Sequence, residues 1–254
     1  MHTDNNAWYR AIAAGWARRM ISGNSPGAWA NHTDNDVQFV MSQLGLRPGD
    51  RVLDLGCGWG RHSLPLASAG LRVTGLDISH DLLLLARYHA EQQGVAINWI
   101  EGDIADVPLR GSFDAVVQFY GNFMTWFSDP ERTRDALWNV AGLLRSGGRL
   151  LFGTLTWQPV LPVREHDWDE WNDGAAIYRH RFDPQRRIAH TQTVLFGPAH
   201  ARREFRRETW WPSQGEMEVL FGQMGLKMVA CFNDFAGMPF TNAAPGLVYL
   251  LERD

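Results

Sequence analysis

The sequence predicts an α/β protein: a doubly wound sheet, with helices ahead of it and a small antiparallel strand insertion near its end. Three observations predict this. From about Arg51 to Thr154, short apolar runs alternate with helical patterns, the mark of a parallel sheet covered on both faces. A glycine-rich turn, Gly56 to Gly60, directly follows the first of those runs. Beyond the fifth run the helical period gives way to alternation, the pattern of antiparallel strands.

Each element has a local reason. Two helices come first, about Asn5 to Ile21 and Asp34 to Leu44, separated by the turn-forming stretch SGNSPG. In the first, Tyr9, Ala13, Trp16 and Met20 share a face. RVLDLG is strand one, Leu71 to Asp77 strand two, Ile97 to Asp103 strand three, Phe113 to Phe119 strand four and Arg149 to Thr156 strand five. Ser79 caps a helix that runs to about Gln93, where Gly94 stops it. Asp129-Pro130 opens another helix, and Gly147-Gly148 ends it. Pro159 to Gly174 reads as irregular. AIYRHRFD, IAHTQTVLF and RREFRRETWW read as three antiparallel strands, Ser213 to Met224 as a helix, and KMVACFND and GLVYLLER as two closing strands.

Composition narrows the function classes. The chain has 254 residues, 45% hydrophobic and 20% charged, with a formal net charge of -4. That balance gives no global pull toward nucleic acid or anionic membrane. No apolar run approaches the roughly 20 residues that span a bilayer. The N-terminus lacks the basic start and apolar block of a signal peptide. Cys57 and Cys231 supply no zinc-type spacing. A reduced, cytoplasmic setting is the expectation.

The glycine turn raises the question of a ligand. In a doubly wound sheet, ligands bind at the carboxyl ends of the strands. Glycine lets backbone approach them, because it has no Cβ and tolerates positive φ. The loop reads Asp54-x-Gly56-x-Gly58-x-Gly60. A dinucleotide fingerprint, G-x-G-x-x-G, would set its third glycine one residue later.

At these residues the sequence resembles the class I S-adenosylmethionine-dependent methyltransferases, whose first motif is an acidic residue followed by G-x-G-x-G. The resemblance continues in register through Asp77 in GLDIS, Asp103 and Ile104 in EGDIAD, and Phe119 to Phe123 after strand four. It implies a Rossmann-like, seven-stranded sheet with S-adenosylmethionine as cofactor. It implies that Asp77 holds the ribose hydroxyls, that Ile78, Asp103 and Ile104 bracket the adenine, and that Phe119, Tyr120 and Asn122 line the methyl-transfer zone. Asp54, Gly56, Gly58 and Gly60 complete the cofactor set. Each acid alone also reads as a cap or turn former. Asp77 alone would equally suit a nicotinamide cofactor.

The element order is similar to that of glycine and aminosugar N-methyltransferases, where an aromatic N-terminal segment acts as a lid. Tyr9 and Trp16 occupy suitable places, with an ordinary amphipathic helix as the alternative. The implied organisation is a lid over 1–47, a core over 48–156 and 213–254, and an inserted cap or oligomer contact over 157–212. The expected acceptor is a small molecule, with an amine nitrogen favoured. An O-methyltransferase with His166 or His180 as base, and a non-catalytic cofactor-binding protein, are the alternatives. Glu165, His166 and Asp167 do not suggest a metal, since consecutive residues on an extended chain face opposite ways. Cys57 reads as a packing residue, and His62 as a polar residue of a first helical turn. Eight of the 12 tryptophans lie outside the expected core, which suits an aromatic acceptor site, a packed cap or a homo-oligomer contact. In RREFRRE, Arg202, Glu204, Arg206 and Glu208 share a face. That makes a laced, solvated surface and not a nucleic-acid groove.

Overall fold

The computed structural model describes residues 7–21, 32–119, 130–155, 166–171, 173–197, 201–241 and 246–254. Two helices, α1 (Ala7–Ile21) and α2 (Thr33–Leu44), lead into β1 (Arg51–Leu55), α3 (Ser63–Ser68), β2 (Arg72–Asp77), α4 (His80–Gln93), β3 (Asn98–Glu101) and β4 (Phe113–Gln118). After α5 (Pro130–Leu143) and β5 (Leu144–Leu155) come β6 (His166–Trp171), β7 (Gly174–Asp183), β8 (Ile188–Phe196) and β9 (Arg202–Trp210). The chain closes with α6 (Gln214–Gln223), β10 (Leu226–Phe232) and β11 (Gly246–Arg253).

The larger sheet has seven strands in the order β10-β11-β5-β4-β1-β2-β3. β1 lies between β2 and β4, so the strand order reverses there and a crevice opens at the carboxyl ends. The sheet is mixed and not wholly parallel, because β11 runs antiparallel to both β5 and β10. Period-two alternation sorts its side chains onto two faces. Val52, Val117, Leu151 and Val248 pack with Val37, Val40 and Leu66 from α2 and α3. Leu53, Val116, Leu150 and Tyr249 pack with Leu137, Val140, Met217 and Phe221 from α5 and α6.

Local chemistry sets the helix ends. Ser79 Oγ accepts from Leu82 N–H at 3.3 Å, and Gly94 stops α4 in the left-handed region at φ 65°. Ser213 and Glu216 form a reciprocal capping box on α6. The glycine pair 147–148 does not end α5. That helix stops at Leu143, and the glycines fall where the pairing of β4 with β5 shifts register.

The inserted sheet has four antiparallel strands, β6-β7-β8-β9, one more than the alternation suggests. β6 falls in the stretch read as irregular. α1 bridges the two sheets. Tyr9, Ala13 and Ala17 pack on Leu82 of α4 and on Trp59, while Trp8, Ile12 and Trp16 pack on Ala176, Tyr178, Leu195 and Phe205 of the inserted sheet.

Candidate active site

The glycine turn is built by three left-handed residues, Gly56, Gly58 and Gly60, at φ 70°, 55° and 83°. L-residues with a Cβ resist that region. Gly56 and Cys57 N–H both donate to Leu76 O, at 2.7 and 3.0 Å, tying the turn to β2. Gly58 N–H donates to Asp77 Oδ2 at 2.9 Å, and Ser79 N–H donates to Asp77 Oδ1 at 2.8 Å. Asp77 therefore clamps the turn against the end of β2. Gly60 has a second constraint: a Cβ there would stand 2.8 Å from Trp99 Cη2. Cys57 is a buried packing residue, its Sγ 2.9 Å from where a Cβ on Gly75 would lie. Burial pushes its thiol well above the usual range.

Beside this turn lies a crevice lined by Gly56, Asp77, Ile78, Asp103 and Ile104, and closed by Trp8 and Tyr9 of α1. The cavity left between them is about 10 Å³, room for one water. Burial raises the Asp77 carboxyl to about 6 against the pull of its backbone donors. Desolvation, with Asp77 adding to it, holds the Tyr9 phenol well above its ordinary value, so it stays protonated as a donor. Asp103 Oδ1 accepts from Ala105 N–H at 2.8 Å.

Residues 52–148 match the family model described as a methyltransferase domain. That segment carries a methyltransferase domain. It is 34% identical over 132 residues to a ubiquinone biosynthesis O-methyltransferase of Xanthomonas axonopodis pv. citri, covering 51% of this chain and 53% of that protein. The chain spans about half the length of the curated relatives it matches. Its fold is similar to that of the CcbJ methyltransferase of Streptomyces caelestis, with a TM-score of 0.70 at 19% identity, covering 88% of this chain and 95% of that one. It is likewise similar to CalS10, an amino pentose methyltransferase of Micromonospora echinaspora solved with S-adenosylmethionine bound, with a TM-score of 0.62 at 19% identity over 90% and 92% of the two chains.

Tyr9, Gly56, Asp77, Ile78, Asp103 and Ile104 come together at the crevice. Asp54 lies apart from its lining. Ser63 Oγ donates to Asp54 Oδ2 at 2.6 Å, so this carboxyl fastens β1 to α3, and burial raises it to about 7. Gly58 and Gly60 shape the turn from behind. Trp16 sits on the inserted-sheet side of α1, edge-on to Tyr9 with centroids 6.2 Å apart.

Phe119 packs on the face covered by α2 and α3 and stacks on the His62 ring at 3.6 Å and 7°. Tyr120 and Asn122 lie outside the described residues. His166 does not come to the crevice. It stands opposite Arg179 on β6, exposed, on the sheet face away from Tyr178 and α1. Alternation sends it outward while its neighbour Asp167, opposite Tyr178, shares the inner face.

Three features go beyond what the sequence reading assigns. Trp8 lines the crevice beside Tyr9, and the Trp8-Tyr9 pair on α1 was the available signal. His62 is buried and bonds Asp36 Oδ2 at 3.0 Å, with Arg61 also 3.6 Å from that carboxylate. Burial takes the imidazole down to about 4, so it pins α2 as a neutral ring. On the inserted sheet, Arg207 and His180 share the face turned toward α1. Among the described residues there is no cluster of three or more His, Cys, Asp and Glu able to hold a metal ion, and no helix long and apolar enough to cross a membrane.

Proposed function

We propose that this methyltransferase domain transfers a methyl group from S-adenosylmethionine to a small-molecule acceptor, and that the receiving atom is an amine nitrogen. The reading rests on the crevice, where one buried carboxylate and an apolar pair meet at the topological switch of the sheet. The donor set suits a nucleoside. Asp77 keeps lone-pair capacity beyond what its three backbone donors, Gly58, Ile78 and Ser79, use, enough to accept from a ribose hydroxyl. Ile78 and Ile104 offer apolar surfaces to a flat ring, and Asp103 accepts from its amino group.

When bound, S-adenosylmethionine supplies a methyl carbon activated by a sulfonium. The chain's own work is to orient and to exclude water. Trp8 and Tyr9 perform the exclusion, and the cavity of about 10 Å³ that they leave is far smaller than the ~300 Å³ of a small-molecule pocket. Entry therefore requires α1 to swing outward. An amine acceptor sheds its proton to water before binding and needs no base. The described lining of the crevice, which holds no histidine, supports that choice.

An oxygen acceptor is favoured by one observation. His180 lies on the inner face of the inserted sheet, and burial and Arg207 hold its pKa below the ordinary value. Such an imidazole is neutral and able to accept a proton.

Calorimetry tests the first reading. S-adenosylhomocysteine binds and NAD does not, and Asp77→Ala weakens binding about tenfold or more, the loss of charge-assisted hydrogen bonds. NAD binding in place of S-adenosylhomocysteine overturns it. The pH–rate profile of His180→Gln separates the acceptors. It matches the wild type for an amine and collapses at neutral pH for an oxygen.

A further inference from the structure

The inner face of the inserted sheet carries a polar row. His180, Thr191 and Arg207 stand side by side on β7, β8 and β9. The adjoining row, Tyr178, Thr193 and Phe205, packs toward α1. The Arg207 guanidinium lies over the Trp8 ring, its Cζ 3.6 Å from the centroid. Trp8 in turn lines the crevice. A cation is thus stationed one aromatic ring away from the methyl-donor crevice.

The other cations of β9 are engaged elsewhere, Arg203 over the Phe205 ring at 5.1 Å from its centroid. Glu204 takes Arg202 at 2.9 Å and Arg206 at 3.2 Å on the outer face, and Glu208 faces His190 at 3.1 Å. Arg207 has no carboxylate within ion-pair distance among the described residues, and its Nε is buried without a hydrogen-bond partner. Desolvation pulls its pKa down to about 10, with only Tyr178 acting the other way. A guanidinium stays charged at that value. Holding its Nε out of water without an acceptor costs free energy, which the Trp8 ring face offsets in part. His180 beside it hydrogen-bonds Thr191 Oγ1 at 3.1 Å and supplies no negative charge.

We propose that Arg207 is the anion-recognising residue of the acceptor site, so that the molecule methylated carries a carboxylate or phosphate group. The Trp8 face fixes the guanidinium plane, and the planar fork then meets two oxygens at once. The proposal rests on the crevice being the methyl-donor site. It adds what the acceptor must look like.

The test is calorimetry on the full chain, with and without saturating S-adenosylhomocysteine. The probes are benzoate and inorganic phosphate, with benzamide as the uncharged control. At least one anion binds the wild type about tenfold tighter than benzamide. A benzoate preference assigns the carboxylate and a phosphate preference the phosphoryl group. Arg207→Met removes the preference, and Arg207→Lys keeps it at reduced affinity, because the charge stays and the fork is lost. No anion preference in the wild type, or one that survives Arg207→Met, overturns the proposal. If Arg207→Met does not fold, Arg207→Lys decides, and anion affinity equal to wild type overturns it. Failure of S-adenosylhomocysteine to bind the wild type would instead sink the methyl-donor reading, and the anion comparison made without it would still stand.

Discussion

Asp54 and Asp77 end neighbouring parallel strands, and burial holds them at about 7 and about 6, against about 3.9 in an unfolded chain. A carboxyl that binds its proton more tightly when folded loses stability as pH rises between its unfolded and folded values. His62, depressed to about 4, does the reverse and adds stability as pH rises from there through about 6.5. The two trends partly cancel, so the informative quantity is the difference between wild type and Asp54→Asn. From pH 6 to pH 8 the wild type should lose about 1.4 kcal/mol relative to that variant, read from urea unfolding at each pH. A difference that stays constant would show that Asp54 holds no proton at pH 6. Gln118 is a second case. It ends β4, opposite Phe152, at 1% exposure, and neither amide atom has a partner among the described residues. Unmade buried hydrogen bonds cost about 1–3 kcal/mol, so Gln118→Met should raise stability by about 1 kcal/mol. If turnover falls in the same variant, the amide serves a ligand; if stability falls, the amide is paired after all. An amide closing the apolar run FDAVV is visible in the sequence, but counting hydrophobic residues passes over it.

At the scale of elements, what was legible depended on whether a pattern has one answer. Ser79 and Gly94 bracket α4 as expected because cap chemistry is local. HDWDEW has no β-branched residue and no continuous apolar face, so nothing in it announces β6. It becomes a strand because the edge of β7 offers it backbone partners over six registered pairs. That pairing also decides which way His166 faces, and a shift of one residue would have turned it inward. The antiparallel direction of β11 is set by its insertion between β5 and β10, which composition does not encode. α1 presents Tyr9 and Trp16 together, their rings edge-on at 6.2 Å, but Tyr9 packs with α4 and Trp16 with the inserted sheet. Since Trp8 and Tyr9 close the crevice, movement of α1 should limit ligand entry. Trp8→Ala removes a ring from the mouth, and S-adenosylhomocysteine should associate and dissociate several-fold faster in stopped flow. Unchanged rates would mean that entry follows another path.

Across the whole molecule, α1 belongs to two apolar clusters at once. One holds Leu82 of α4, next to the crevice, and the other holds Ala176 and Leu195 of the inserted sheet. A ligand that holds α1 closed must therefore also steady the inserted sheet, because the same helix residues pack on both. The direction of this coupling is reciprocal: an anion seated at Arg207, beneath Trp8, would favour the closed helix and tighten the crevice. Hydrogen exchange reads this directly. With S-adenosylhomocysteine bound, amides of β8 from Thr191 to Leu195 should exchange more slowly, although the crevice proposed to hold it lies at the ends of β1, β2 and β3. Ile12, at 1% exposure, carries the contact to that sheet without lining the crevice. Ile12→Ala should then leave protection around Asp77 in place and erase it in β8. Protection confined to the larger sheet in the wild type would mean that α1 closes the crevice without informing the sheet on its other side.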